Sequence, residues 1–191
     1  MKKTLLVLIA TAALLAPRPA AAQGFINPFF GWNFGGDAKC LEITGCQDHT
    51  TNWGVSFGSL GRVFGFEEEL GYSKNFFGEA PTYNSDVFTL MSNLLISAPI
   101  PVVRPYVVTG VGLMRSHVEP TVGSILSAST ANNSFGWDLG GGLIVGSSHF
   151  GVRGDIRYFH TFQDLEFAGI NLAAGEKLNF GRAAVGLFFK F

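Results

Sequence analysis

The chain has 191 residues, 47% of them hydrophobic and 14% aromatic, with 14% charged residues and 25 glycines. A hydrophobic content this high excludes a disordered chain, and a formal net charge of −1 argues against nucleic acid as a partner. The length fits one domain, and no linker, charge block or clear internal repeat divides it.

The basic start Met1-Lys2-Lys3 and the apolar run from Thr4 to Ala16 read as a secretory signal for the Sec pathway. The run is shorter than the roughly 20 residues that cross a bilayer as a helix. Ala20 and Ala22 supply the small residues of an A-x-A site, so the expected division is a signal over 1–22 and a mature domain over 23–191. No cysteine follows the apolar run closely, which disfavours a lipoprotein. Loss of Lys2, Lys3 and Arg18 leaves ten basic against fourteen acidic residues, a mature net charge of −4.

After the signal no helical stripe appears, whereas apolar residues recur at period two among glycines and aromatics. That alternation predicts strands over 25–36, 52–60, 63–76, 86–98, 103–118, 134–147, 149–162 and 177–191. Cys40 and Cys46 fall between the first two, in DAKCLEITGCQD. In an exported chain they are expected to form a small loop disulfide; a metal or redox pair is disfavoured because the spacing is not C-x-x-C.

The connections alternate in length. Gly61-Arg62, Ile100-Pro101 and Ser147-Ser148 mark tight turns, while 40–51, 78–85, 119–133 and 163–176 are longer and more polar. Short turns at one end, long loops at the other and an even strand number describe bacterial transmembrane barrels. The fold class expected is therefore all-β, an eight-stranded antiparallel up-and-down transmembrane β-barrel.

The faces distinguish a membrane barrel from a soluble one, since the apolar set points outward only in the former. In the last strand Ala183, Val185, Leu187, Phe189 and Phe191 share one face; Arg182, Ala184, Gly186, Phe188 and Lys190 share the other. Phe150, Val152, Ile156 and Tyr158 likewise oppose Arg153, Asp155 and Arg157, and Trp137, Leu139, Leu143 and Val145 oppose Asp138 and several glycines. An eight-stranded barrel is narrow enough for side chains to fill. Glu67, Glu69, Asp138 and Asp155 are thus expected to meet Arg104, Arg153, Arg157 and Arg182 in a lumen charge network, read either as a salt-bridged plug or as an ion-selecting gate. Trp32, Trp53, Tyr72, Trp137 and Tyr158 suit an interfacial girdle. Glu68 fits badly, because it falls on the outward phase between Phe66 and Leu70.

With these residues in view, the chain resembles the small outer-membrane β-barrels grouped with the transmembrane domain of outer-membrane protein A and with outer-membrane protein X. The carriers are RPYVVTGVGL, WDLGGGLIVG, GVRGDIRYFHTF and the closing AVGLFFKF, which together extend the resemblance over nearly the whole mature chain. It implies residence in the cell outer membrane, contact with outer-membrane lipid and lipopolysaccharide, and recognition by the barrel-assembly machinery. In this family the closing alternation resembles the assembly signal, here Val185, Leu187, Phe189 and Phe191. The contrast with full-length outer-membrane protein A, which carries a peptidoglycan-binding domain after its barrel, leaves a cell-wall anchoring role unexpected here.

Some small outer-membrane barrels modify lipid A, and their deacylases resemble this chain in placing a His on the outer surface, with a Ser two residues on. Here Phe162 occupies that place after His160, so the nucleophile that acyl transfer needs is missing. His49, His117 and His149 show no metal-ligand spacing, and neither Gly110-x-Gly112 nor Gly140-Gly141-Gly142 completes a nucleotide-binding loop. No catalytic residue, cofactor or metal is expected. The function expected is non-enzymatic, a surface-structural, adhesive or protective role through an unidentified surface ligand. A narrow porin-like channel is the alternative, a lipid A-modifying enzyme a lesser one. A soluble lipocalin-like barrel, suggested faintly by Phe30-Gly31-Trp32, is the weakest because the outward face is continuously apolar.

Overall fold

The structure is a computed structural model that describes residues 22–38, 50–77, 83–120, 130–147, 149–164 and 177–191. Residues 1–21 of the expected signal, the expected disulfide pair Cys40 and Cys46, His49 and most of the long connections lie outside the described residues. Eight strands run in chain order: β1 (Gln23–Phe34), β2 (Thr51–Leu60), β3 (Phe64–Lys74), β4 (Tyr83–Ser97), β5 (Val103–Pro120), β6 (Thr130–Gly146), β7 (Phe150–Asp164) and β8 (Lys177–Lys190). Each is antiparallel to its sequence neighbour, and β1 also pairs with β8, so the sheet closes on itself. Closure removes both sheet edges, leaving no unpaired row of backbone groups toward lipid.

The side-chain period of two places the charged and small residues inside and the apolar ones outside. Along β8, Phe180, Arg182, Gly186 and Phe188 are buried while Val185, Leu187 and Phe189 are exposed. On β6 and β7, Leu139, Leu143, Val145, Phe150, Val152, Ile156 and Tyr158 all face out. An apolar exterior around a charged interior is the inverse of a lipocalin-like barrel and removes that reading.

Glycine lets the wall of this narrow barrel close. A Cβ on Gly142 would lie 2.1 Å from the Gly154 carbonyl oxygen and 2.8 Å from the Tyr106 hydroxyl, so the glycine run of β6 is the surface over which β7 packs.

The turns at 61–63, 98–102 and 147–149 share one end of the barrel, the periplasmic end in barrels of this kind. In the second of these Val102 has φ 72°, a left-handed conformation that a β-branched residue rarely adopts and that costs about 1–3 kcal/mol. At the opposite end β5 and β6, with 18 and 17 residues, reach well beyond β2 and β3, with 10 and 11.

Trp32, Trp53, Tyr72, Trp137 and Tyr158 each stand seven to nine residues from the short-turn end of their strands. At about 3.3 Å per residue and a tilt of about 40°, that is roughly 20 Å, close to the height of the apolar band of an outer-membrane barrel. The rings therefore form one girdle, in which Trp53 meets Tyr72 at 5.6 Å and Trp137 meets Tyr158 at 5.8 Å.

Candidate functional site

The lumen is filled in three layers. Toward the short-turn end lie Phe25, Leu60, Leu95, Tyr106, Val108, Ile144 and Phe188. Toward the long-loop end lie Ala38, Phe76, Phe77, Val87, Met91, Met114, Phe159, Leu178 and Phe180. Between them sits a cluster of carboxylates and guanidiniums.

Arg157 on β7 is its hub. Its guanidinium lies 2.8 Å from Glu67, 3.1 Å from Glu69, 3.2 Å from Asp155 and 3.3 Å from Asp138. Arg153, four residues nearer the short-turn end of β7, pairs with the Glu67 carboxylate and lies 3.3 Å from Asp155. Arg182 on β8 grips Glu69 with both terminal nitrogens, at 2.7 and 3.0 Å. All three arginines are 1% exposed. Such charges persist away from water only when paired and hydrogen-bonded, which this geometry provides.

Tyr106 and Asn93 complete the cluster, and sequence reasoning missed both. Arg153 Nε donates to the Tyr106 hydroxyl at 2.6 Å, which donates in turn to Asp155 at 2.6 Å. With its amide nitrogen toward Asp138, Asn93 donates to that carboxylate at 2.9 Å and accepts from Arg157 at 3.0 Å. Aromatic faces cover the guanidiniums: Arg153 stands 4.6 Å from the Tyr106 centroid, and Arg182 lies between Phe29 and Phe159 at 4.8 and 4.9 Å.

Seven of the eight charged residues assigned to the lumen network thus meet, and Arg104 does not. It faces inward, yet stands at the short-turn end, where its guanidinium donates to the carbonyls of Gly61 and Arg62 and to Ser97 Oγ. The physical reason is height: Arg104 is the second residue of β5, whereas its supposed partners are at mid-strand.

Glu68 faces outward, as its phase implies, about halfway between Phe64 and Tyr72. Its register partner on β4 is Ser92, whose hydroxyl lies 2.8 Å from each carboxylate oxygen. A cross-strand hydroxyl thus gives the carboxylate a donor on an apolar wall. His160 also faces the wall, 5.8 Å from the Trp137 ring and 6.3 Å from the Tyr158 ring; its register partners are Trp137 and Asn179. Neither is the acidic or nucleophilic partner of an acyl-transfer site. His117 lies 3.5 Å from Asp86, and His149 is exposed in the last tight turn. Val185, Leu187, Phe189 and Phe191 are exposed on the wall, Phe191 at 80%.

A closed antiparallel barrel with an apolar wall, an aromatic girdle and a charged, filled lumen defines a transmembrane outer-membrane β-barrel. Residues 6–191 match the family described as "Outer membrane protein beta-barrel domain", and the chain belongs to that family. It resides in the outer membrane, embedded among that membrane's lipids.

Solved structures agree on the fold. Neisserial surface protein A aligns with a TM-score of 0.59 and 13% identity, covering 89% of this chain and 97% of that one. The N-terminal barrel of Pseudomonas aeruginosa OprF gives a TM-score of 0.52 at 16% identity, covering 88% and 97%. Ail, the attachment invasion locus protein of Yersinia pestis, gives 0.52 at 10% identity, covering 89% and 97%. No curated protein matches the chain in sequence.

Proposed function

We propose that this barrel is a non-enzymatic, non-conducting anchor that holds its outer loops at the cell surface, in a structural, adhesive or protective role. One observation carries the reading: the ionic cluster is buried between two apolar layers, so an ion entering the lumen meets packed side chains on either side of the charges. Export by the signal over 1–22 and recognition of Val185, Leu187, Phe189 and Phe191 by the assembly machinery belong to the same proposal.

The purified barrel in planar lipid bilayers is expected to give no conductance steps at ±100 mV. Steps that scale with salt and change size in Arg157→Met would overturn the anchor in favour of a channel. The channel reading draws on one specific feature, the buried side-chain oxygens of Asn27, Asn33, Asn52 and Thr89 on β1, β2 and β4, which have no hydrogen-bond partner among the described residues. An acyl-releasing activity on lipid A that vanishes in His160→Ala would replace both readings.

A further inference from the structure

The short-turn end carries a charge pattern that the plug does not use. The acidic residues among the described ones lie in the plug, at Glu68 on the wall, or toward the long-loop end; the others in the mature sequence fall in the long connections. Arg62, Arg104 and Lys190, by contrast, gather at the short-turn end.

A cavity of about 450 Å³ opens there below the lower apolar layer, lined by Ile100, Val102, Arg104, Ile144, Ser147 and Lys190 among others. Arg104 is held in place by Ser97 Oγ at 3.0 Å from Nε and by two turn carbonyls at one terminal nitrogen, which leaves Nη1 without a partner among the described residues. Lys190 Nζ stands 5.7 Å from the Phe188 ring, and among the described residues no carboxylate side chain pairs with it. Two cations share apolar walls without a compensating acidic side chain, beside the strained Val102. Both cations are half-exposed, and two like charges held at one vestibule favour an anion between them.

We propose that this vestibule binds a phosphate group presented from the periplasmic side. A fixed guanidinium edge and a mobile ammonium suit a tetrahedral oxyanion, the first by directed hydrogen bonds and the second as a point charge. Free phosphate and the headgroup of a phospholipid in the periplasmic leaflet offer the same chemistry, and the apolar lip of Ile100 and Val102, 53% and 68% exposed, lies beside the cations.

The test uses the chain from Gln23 refolded in dodecylmaltoside micelles, its fold verified by heat-modifiable gel mobility. Inorganic phosphate and dihexanoyl phosphatidylglycerol are titrated separately by calorimetry. Saturable binding is expected, weakened about tenfold in Lys190→Gln, retained in Lys190→Arg and unchanged in Arg62→Gln. Lys190→Gln is preferred to a change at Arg104, which also holds the turn. Saturation by inorganic phosphate supports a soluble source, and saturation by the lipid alone supports a headgroup. No binding of either, equal affinity in Lys190→Gln, or acetate bound as tightly as phosphate would overturn the proposal.

Discussion

Replacing Arg157 by Met tests the plug at its hub. The substitution removes one guanidinium from four carboxylates, but the four are not equally affected. Glu67 and Asp155 keep Arg153, and Glu69 keeps the two-pronged contact with Arg182. Asp138 loses the guanidinium 3.3 Å away, and among the described residues the Asn93 amide is the side-chain hydrogen-bond donor it retains. The loss is therefore set by one stranded, fully buried carboxylate, about 3–5 kcal/mol, rather than by the sum of four contacts. Arg182→Met strands nothing, because Glu69 keeps Arg157 at 3.1 Å, and costs about 1.5–3 kcal/mol. Adding Asp138→Asn to Arg157→Met removes the stranded charge and recovers more than about half of the loss. Urea titration of the barrel in lipid vesicles, followed by tryptophan fluorescence and gel mobility, measures all three. A loss below about 1 kcal/mol in Arg157→Met, or no recovery in the double variant, would refute the idea that stranded charge sets the stability of the lumen.

Other perturbations address the wall and the closing strand. Glu68→Leu exchanges a lipid-facing carboxylate for a methyl-rich side chain and leaves one hydroxyl at Ser92, so it is expected to stabilise the barrel in vesicles by roughly 1–2 kcal/mol; a loss of stability would mean that protein rather than lipid covers that site. Gly112→Val places a Cβ 2.0 Å from the Leu90 carbonyl oxygen and is expected to cost at least about 1–3 kcal/mol in the same urea titration. Deleting Phe191 is expected to lower the yield of heat-modifiable barrel in cells while leaving spontaneous refolding into micelles intact. Equal loss in both settings would reassign Phe191 from assembly signal to packing.

What a sequence reveals of such a barrel depends on which geometric variable is needed. Phase along a strand is written in the residues, so Val185, Leu187 and Phe189 separate from Arg182 and Phe188 by alternation alone. Height is written less clearly. Arg104 has the right phase and the wrong level, and only counting from the tight turn at 98–102 separates it from Arg153 and Arg157. Pairing across strands is least legible, because it depends on how far each strand slides past the next. That is why the donor for Glu68 emerged only when Ser92 came opposite it, and why Tyr106 and Asn93 joined the cluster unannounced. A hint existed in Tyr106, an inward aromatic with a hydroxyl that burial obliges to find a partner.

The three tryptophans of the chain, Trp32, Trp53 and Trp137, all stand in the girdle nearest the long loops, while the wall toward the tight turns carries Phe64, Phe150, Phe189 and Phe191 instead. Intrinsic emission is thus a reporter of one rim only. In vesicles whose lipids carry quenchers at graded depths, the signal will dip as that rim traverses the bilayer midplane and recover when it reaches the far surface, with no label added. The passage of the loop-bearing end can then be timed separately from the arrival of the opposite end, which stays optically silent.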